Sequence, residues 1–204
     1  MTADILTPRL YLKTLSAAQL ELCLKNLPKL EAELGISTAK DVIDINVTRA
    51  INMKLAKMAE IAVERHDWLS YWMIVVKSEG RGIGLIGFKG YPDADGKTEV
   101  GYGIGAAYRN QGYVTEALKA LTIWAFTFPE CRVLTASAVS NPASEKVLQK
   151  SGWKKVRQHA SSSDWETSRI NFTSTHPSSG LKTILYPIVM DVSTIDTMPF
   201  RAQY

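Results

Sequence analysis

The alternation of apolar and polar residues divides the first half of the chain into a largely helical part and a strand-rich part. Residues 9–14 alternate like a half-buried strand, and apolar positions at helical spacing follow over residues 17–26, 28–35 and 45–65. Turns rich in Gly, Ser and Asp then separate three apolar strands, predicted at residues 71–77, 83–91 and 98–104. These three strands are predicted to form an antiparallel meander.

The second half of the chain alternates helices with strands. A long helix is predicted between the turn at Gly112 and Pro129, because apolar residues recur along one face and the proline ends it. A strand at residues 133–139, a helix capped by Asn141 and running to residue 150, and a strand at residues 153–157 follow.

The last part of the chain has a different composition. Residues 161–180 are rich in Ser and Thr and predict an irregular loop. Residues 184–192 predict a final strand, which Pro187 would confine to the edge of a sheet. We therefore expect one domain at residues 1–160, with residues 161–204 forming a loop and a closing edge strand of the same domain.

Composition and charge narrow the class of protein. The chain has 204 residues, of which 46% are hydrophobic, and its formal net charge is +4. That length supports one well-packed core, and the mild positive charge suits anionic ligands without indicating nucleic acid. The two cysteines lack the spacing of a metal site. With no signal peptide and no apolar run of membrane length, we expect a cytoplasmic protein without a membrane partner.

One strand, turn and helix carry the strongest chemical signal. Between residues 100 and 117, an apolar strand enters a basic turn containing Gly112, and a helix begins at once. The N–H groups at a helix start lack intrahelical partners and lie at the positive end of the helix dipole, so they can bind an anion. Taken alone, the segment Arg109–Gly112 also fits a plain polar turn.

The order of elements resembles that of the GNAT superfamily of acetyl-CoA-dependent N-acetyltransferases, and most of all its RimJ/RimL-type branch. The motifs that carry the likeness are Thr7-Pro-Arg-Leu-Tyr-Leu12, Glu99-Val-Gly-Tyr102, Tyr108-Arg-Asn-Gln-Gly-Tyr-Val-Thr-Glu-Ala117, Asn141-Pro-Ala-Ser144 and Leu148-Gln-Lys-Ser-Gly-Trp153. The likeness covers residues 7–157. It implies an α+β GNAT fold, in which helices flank a mixed, mostly antiparallel sheet with a splay between its two central strands.

The resemblance implies acetyl-CoA as cosubstrate and no metal. The pyrophosphate would be held by the charge of Arg109 and by the backbone amides of Gln111, Gly112, Tyr113, Val114 and Thr115. The family usually has Gly or Ala where this chain has Val114, a departure that adds bulk to the loop. The pantetheine arm would be held by the main chains of Tyr102 and Ile104 and by the side chain of Asn141, which is equally a good helix N-cap.

Two residues are candidates for proton transfer. Glu99 is predicted to accept a proton from the acceptor amine, although it also fits a substrate anchor or a surface acid beside Lys97. Ser144, which also fits a solvent-facing helix residue, is predicted to protonate the leaving thiolate. Many other members carry a tyrosine acid on this helix, where this chain has Leu148.

The expected acceptor is a primary amine, either on a small molecule or at a protein N-terminus. An aromatic group of Trp68, Tyr71 and Trp72 forms either a wall of the acceptor site or part of the core. One alternative is an antibiotic or polyamine acetyltransferase, whose acidic pocket could use Glu31, Glu33, Asp41 and Asp44. Another is a non-catalytic acetyl-CoA-binding module. The sequence leaves open whether the protein forms a homodimer, and no nucleic-acid partner is expected.

Overall fold

A nine-stranded sheet forms the frame of the protein, and the structure, a computed structural model, describes residues 3–170. The strands are β1 (Ile5–Leu6), β2 (Leu10–Thr14), β3 (Ser37–Thr38), β4 (Trp72–Val76), β5 (Arg81–Phe88), β6 (Lys97–Ile104), β7 (Val133–Val139), β8 (Lys154–Gln158) and β9 (Ser163–Ser168). The helices are α1 (Ala17–Lys25), α2 (Leu27–Leu34), α3 (Ile45–Met58), α4 (His66–Leu69), α5 (Tyr113–Phe126) and α6 (Pro142–Lys150).

The sheet is mixed and mostly antiparallel, which confirms the predicted fold class. Its strand order is β1-β2-β4-β5-β6-β7-β9-β8, and β3 pairs with β5 beside this path. Strands β4, β5 and β6 form the predicted antiparallel meander. Within residues 3–170, the parallel pairs are β3 with β5 and β6 with β7.

Strands β6 and β7 pair at one end and then separate. The ladder joins Lys97–Glu99 to Val133–Thr135 and ends there, although β6 continues to Ile104 and β7 to Val139. A bulge bends β7 beyond this point, where Ala138 has a left-handed φ of 52°. The Asp164 carboxylate of β9 accepts a hydrogen bond from the Ala138 N–H at 2.9 Å and so supports the bulge. The predicted splay between the two central strands is therefore present.

Helices cover both faces of the sheet, and each face has its own apolar core. Trp72, Ile74 and Val76 of β4 lie in the core that contains the buried residues of α5, whereas Met73 and Val75 lie in the core that contains those of α1, α2 and α3. Because both faces are buried, β4 is a continuous apolar run in the sequence rather than an alternating one.

Two predicted segments differ from the structure. The helix expected over residues 45–65 ends at Met58, and a short 3₁₀ helix follows at Val63–Arg65. The segment expected to be a loop contains β9, which lies between β7 and β8 in the sheet. Strand β9 alternates buried and half-buried residues, but two of the buried ones are Ser163 and Thr167, so the sequence shows no apolar alternation. The strand predicted at residues 184–192 lies outside the described residues.

A buried lysine fastens α3 to the sheet. The ammonium group of Lys54 donates hydrogen bonds to the carbonyl oxygens of Leu69, Ser70 and Phe88, at 2.9, 3.2 and 2.6 Å. Burial, together with the neighbouring Lys57 and Lys89 charges, lowers the pKa of Lys54 to about 7. Because Phe88 directly precedes Lys89, this contact holds the end of β5 that borders the splay.

We expect Lys54 to make stability depend on pH above neutrality. Between the folded pKa of about 7 and the ordinary lysine value of about 10.4, the unfolded chain binds more protons than the folded chain. The free energy of unfolding should therefore rise with pH, relative to Lys54→Met, by at most about 1.4 kcal/mol per pH unit. Urea unfolding from pH 7 to 9.5 measures this difference, with Lys29→Met as an exposed control. A difference that stays flat or falls contradicts the prediction.

None of the helices within residues 3–170 has the length and hydropathy that a bilayer-spanning segment requires.

Candidate active site

A groove of about 230 Å³ opens where β6 and β7 separate. Its lining brings together four residues that the sequence singled out: Glu99 and Tyr102 of β6, and Asn141 and Ser144 at the start of α6. Lys89 and Ser137 complete its polar wall. The groove is therefore bordered by the diverging strands on two sides and by the start of α6 at one end.

Glu99 lies on β6 at the point where the ladder ends. Its Oε1 accepts hydrogen bonds from Lys89 Nζ at 2.6 Å and from the Ser137 backbone N–H at 3.4 Å. The partner of Glu99 is thus Lys89 on the other side of the meander turn, not the expected neighbour Lys97. The second oxygen, Oε2, has no hydrogen-bond partner among residues 3–170, so the carboxylate keeps a free acceptor.

Tyr102 connects β6 to the first turn of α6. Its hydroxyl donates to the Ser144 carbonyl oxygen at 3.3 Å. Burial raises the pKa of Tyr102 to about 12, so the hydroxyl stays protonated at neutral pH. The sequence predicted only a main-chain role for Tyr102, but its side chain also lies along the groove.

The start of α6 supplies two further polar residues. Asn141 Oδ1 accepts from the Ala143 N–H at 2.9 Å, so Asn141 caps the helix, and its side-chain NH₂ has no partner within residues 3–170. Ser144 is half-buried, and its hydroxyl lacks a hydrogen-bond partner in the described part of the chain. Leu148, one turn further on, is fully buried in the core.

The start of α5 differs from that of every other helix of eight or more residues in the described chain. Those helices have side-chain caps, at Ser16, Asn26, Asp44 and Asn141. Before α5 stands Gly112, with a left-handed φ of 79° and no side chain that could accept a hydrogen bond. The first N–H groups of α5 consequently have no capping acceptor. Such an open helix start can bind an anion.

The remaining residues of the predicted pyrophosphate loop flank this helix start. Arg109 is exposed, and its guanidinium has no partner among residues 3–170, so it is free to meet an anion. Val114 is 7% exposed, so its extra bulk relative to Gly or Ala is enclosed by the protein. Ile104 ends β6, whose edge toward β7 carries no ladder beyond Glu99.

Two of the three residues of the aromatic group, Trp68 and Trp72, pack in the apolar core. Trp68 is 2% exposed and Trp72 is completely buried. Both rings contact Trp124 of α5, with centroid distances of 4.8 and 5.1 Å. Tyr71 is half-buried, and its ring faces the Lys54 ammonium at 4.4 Å. The alternative of core packing therefore fits Trp68 and Trp72.

The acidic residues proposed for a small-molecule pocket each accept a structural hydrogen bond. Asp44 caps α3, and Asp41 accepts from the Ala106 N–H at 2.6 Å, just after β6. Glu31 accepts from the Thr38 N–H at 2.6 Å, and Glu33 from the Gln19 side chain at 2.8 Å. Each of these four acids therefore has its own structural partner, which accounts for it without an acidic pocket that they share.

Sequence reasoning missed two basic residues. Lys89 pairs with Glu99, and Arg9 reaches the start of α5. Arg9 stands inside the motif at residues 7–12, which could have drawn attention to it, whereas the partner of Lys89 depends on the register of β5 against β6.

No group of three or more His, Cys, Asp or Glu residues in the described chain could hold a metal.

A splayed mixed sheet with an open helix start beside the splay is the architecture of a coenzyme A-dependent acyltransferase. More specifically, the chain belongs to the GNAT acetyltransferases, because the Acetyltransferase (GNAT) domain family matches residues 29–154. It is therefore an N-acetyltransferase with acetyl-CoA as its cosubstrate. It is 30% identical over 150 residues to the uncharacterized N-acetyltransferase YjdG of Bacillus subtilis (strain 168), which covers 72% of this chain and 87% of YjdG.

Solved structures share the fold at low sequence identity. The ribosomal-protein-S5-alanine acetyltransferase of Vibrio fischeri is 18% identical, with a TM-score of 0.57 over 83% of this chain and 97% of that protein. The aminoglycoside acetyltransferase AAC(6')-Ib, solved in complex with coenzyme A, is 12% identical, with a TM-score of 0.55 over 81% of this chain and 98% of that one. These similarities establish the fold. Of the two proteins, one is a ribosomal-protein acetyltransferase and the other an aminoglycoside acetyltransferase.

Proposed function

We propose that this N-acetyltransferase acetylates a primary amine, and that the amine is the α-amine of a protein N-terminus. The groove at the splay supports this proposal, because it carries one carboxylate with a free oxygen, Glu99 Oε2, at a strand edge. A chain terminus could place its amine there while the rest of the polypeptide stays outside. The ribosomal-protein-S5-alanine acetyltransferase that shares the fold acts on an acceptor of this class.

In this proposal the coenzyme lies from the open start of α5 to the splay. The thioester of bound acetyl-CoA supplies the activated acetyl group. The amides of residues 111–115 and the charge of Arg109 hold the pyrophosphate. The unpaired edge of β6, at Tyr102 and Ile104, pairs with the pantetheine amides as an added strand would, and the Asn141 NH₂ can donate to the same arm.

Glu99 is the proposed base. An aliphatic amine is mostly protonated at neutral pH and must lose a proton before it can attack a thioester. Lys89 and the Ser137 N–H both bind Oε1, so they fix the carboxylate and leave Oε2 for the ammonium group. The Ser144 hydroxyl is the proposed proton donor to the departing thiolate, since Leu148 cannot serve.

A small polyamine or aminoglycoside is the second candidate acceptor. It is favoured by a polar hollow of about 330 Å³ on β7, β8 and β9, which includes Asp164 and Glu166. The Glu166 carboxylate has no partner among residues 3–170, so it could bind a second ammonium group of a polycation.

Two measurements test this proposal. Acetyl-CoA at about 100 times its dissociation constant should stabilise the protein by about 2.7 kcal/mol, or about 5–10 °C in Tm, while NAD and ATP should not. Thiol release should then be compared for peptides with a free α-amine, the same peptides N-terminally blocked, spermidine and an aminoglycoside. We expect turnover only with the free α-amine. If kcat/KM is higher with spermidine or the aminoglycoside than with the free α-amine peptides, the acceptor is the second candidate instead.

A further inference from the structure

The turn between β1 and β2 is fastened to the first turn of α5. Glu116 Oε1 accepts from the Thr7 hydroxyl at 2.6 Å and from the Arg9 N–H at 2.9 Å, and Glu116 Oε2 accepts from Arg9 Nε at 2.7 Å. Burial alone would raise the pKa of Glu116, but the bonds from Thr7 and Arg9 bring it below its ordinary value. Glu116 therefore joins two segments that are more than 100 residues apart in sequence.

The same arginine continues from Glu116 into the turn that precedes α5. Arg9 Nη1 donates to the Gln111 carbonyl oxygen at 2.9 Å, and the guanidinium lies 4.5 Å from the centre of the Tyr113 ring. A Cβ at Gly112 would lie 3.4 Å from Arg9 Nη2, in ordinary van der Waals contact. Arg9 therefore packs against this turn.

The turn needs such support because its backbone is strained. Asn110 and Gly112 both have left-handed φ angles, 61° and 79°. A left-handed non-glycine residue is held at a cost of about 1 kcal/mol or more and persists only where the surroundings impose it. Two side-chain hydrogen bonds hold Gln111 within residues 3–170: its own side chain donates to the Ala107 carbonyl oxygen, and Arg9 donates to the Gln111 carbonyl oxygen.

The bond to Gln111 also sets the direction of a backbone N–H group. In a planar trans peptide the C=O and N–H point to opposite sides. Because the Gln111 carbonyl points at Arg9, the N–H of Gly112, immediately before α5, points away from Arg9. The Arg9 guanidinium thus orients the Gly112 N–H without contacting the ligand itself.

We propose that Arg9 is a positioning residue for the coenzyme: held by Glu116, it fixes the Gln111–Gly112 peptide in the orientation that binds the pyrophosphate. The proposal rests on the coenzyme site described under the proposed function. It predicts that Arg9 matters only for acetyl donors that carry the pyrophosphate. S-acetylpantetheine has the same thioester and pantetheine amides as acetyl-CoA and lacks the pyrophosphate, so it separates this role from general damage.

The experiment compares kcat and KM for acetyl-CoA and S-acetylpantetheine in Arg9→Ala, Arg9→Lys and Glu116→Gln. For Arg9→Ala we expect KM for acetyl-CoA to rise about tenfold, the loss of one charge-assisted hydrogen bond, with kcat within about twofold. KM for S-acetylpantetheine should not change. Arg9→Lys and Glu116→Gln should raise KM for acetyl-CoA by an intermediate amount, because each keeps part of the contact. If Arg9→Ala does not fold, these two variants provide the same comparison of donors.

A matched control is Lys13→Ala, which removes a basic residue of β2 that pairs with Asp4 at 3.3 Å. It should leave both donors unaffected. Equal losses with the two donors, or an unchanged KM for acetyl-CoA in all three variants, would overturn the proposal. Failure of the proposed coenzyme site would be seen separately, as a wild-type protein that acetyl-CoA does not stabilise.

Discussion

Glu99→Gln is expected to lower kcat at neutral pH about 100-fold or more, while the dissociation constant of acetyl-CoA stays within about twofold. The amide is nearly isosteric with the carboxylate and can still accept from Lys89 and Ser137, so the groove should keep its shape. It cannot take a proton from the acceptor ammonium. Steady-state thiol release with an N-terminal peptide, together with calorimetric binding of acetyl-CoA, measures both quantities.

The pH profile of the same variant separates a base from a substrate anchor. If Glu99 is the base, activity of Glu99→Gln should recover as the pH approaches the amine's own pKa, because the solvent then supplies the neutral amine. If Glu99 only anchors the ammonium, KM for the acceptor should rise and high pH should not restore activity. Glu130→Gln, an exposed acid after α5, is the control and should behave as wild type.

The long helices and the meander could be predicted because local patterns determine them, whereas the splay was expected only from the resemblance to the GNAT superfamily. Apolar periodicity located α5 and the meander, and the side-chain cap Asn141 marked a helix start that the structure confirms. Strand β9 was missed for a physical reason. Its buried residues Ser163 and Thr167 are polar, so burial in this strand left no apolar signal.

The parts of the site that could not be predicted depend on contacts between distant segments. The ion pair of Lys89 with Glu99 requires the register of β5 against β6, which the intervening turn sets. The contact of Arg9 with Glu116 spans 107 residues, so no local pattern could reveal it. The environment of Trp68 could not be predicted for a different reason. An aromatic residue before a buried strand gives the same sequence pattern whether its ring faces the core or a ligand.

Trp68→Ala is therefore expected to lower the free energy of unfolding by about 3–5 kcal/mol, the range for truncating a large buried aromatic residue. The ring is 2% exposed, and its centroid lies within 6 Å of four other aromatic rings, those of Phe88, Tyr91, Trp124 and Phe128. Removing it leaves a cavity between the sheet and α5 and ends these contacts. Urea unfolding followed by circular dichroism measures the change.

The comparison with an exposed residue and with enzyme kinetics distinguishes a core role from a substrate-facing one. Met53→Ala, at a residue 64% exposed on α3, should change stability by less than about 0.5 kcal/mol. Trp68→Phe keeps an aromatic ring and should lose less stability than Trp68→Ala. In the folded fraction of either Trp68 variant, KM for the acceptor should match wild type, because the ring is enclosed by protein. A loss below about 1 kcal/mol combined with a large rise in acceptor KM would instead place the ring at the acceptor site.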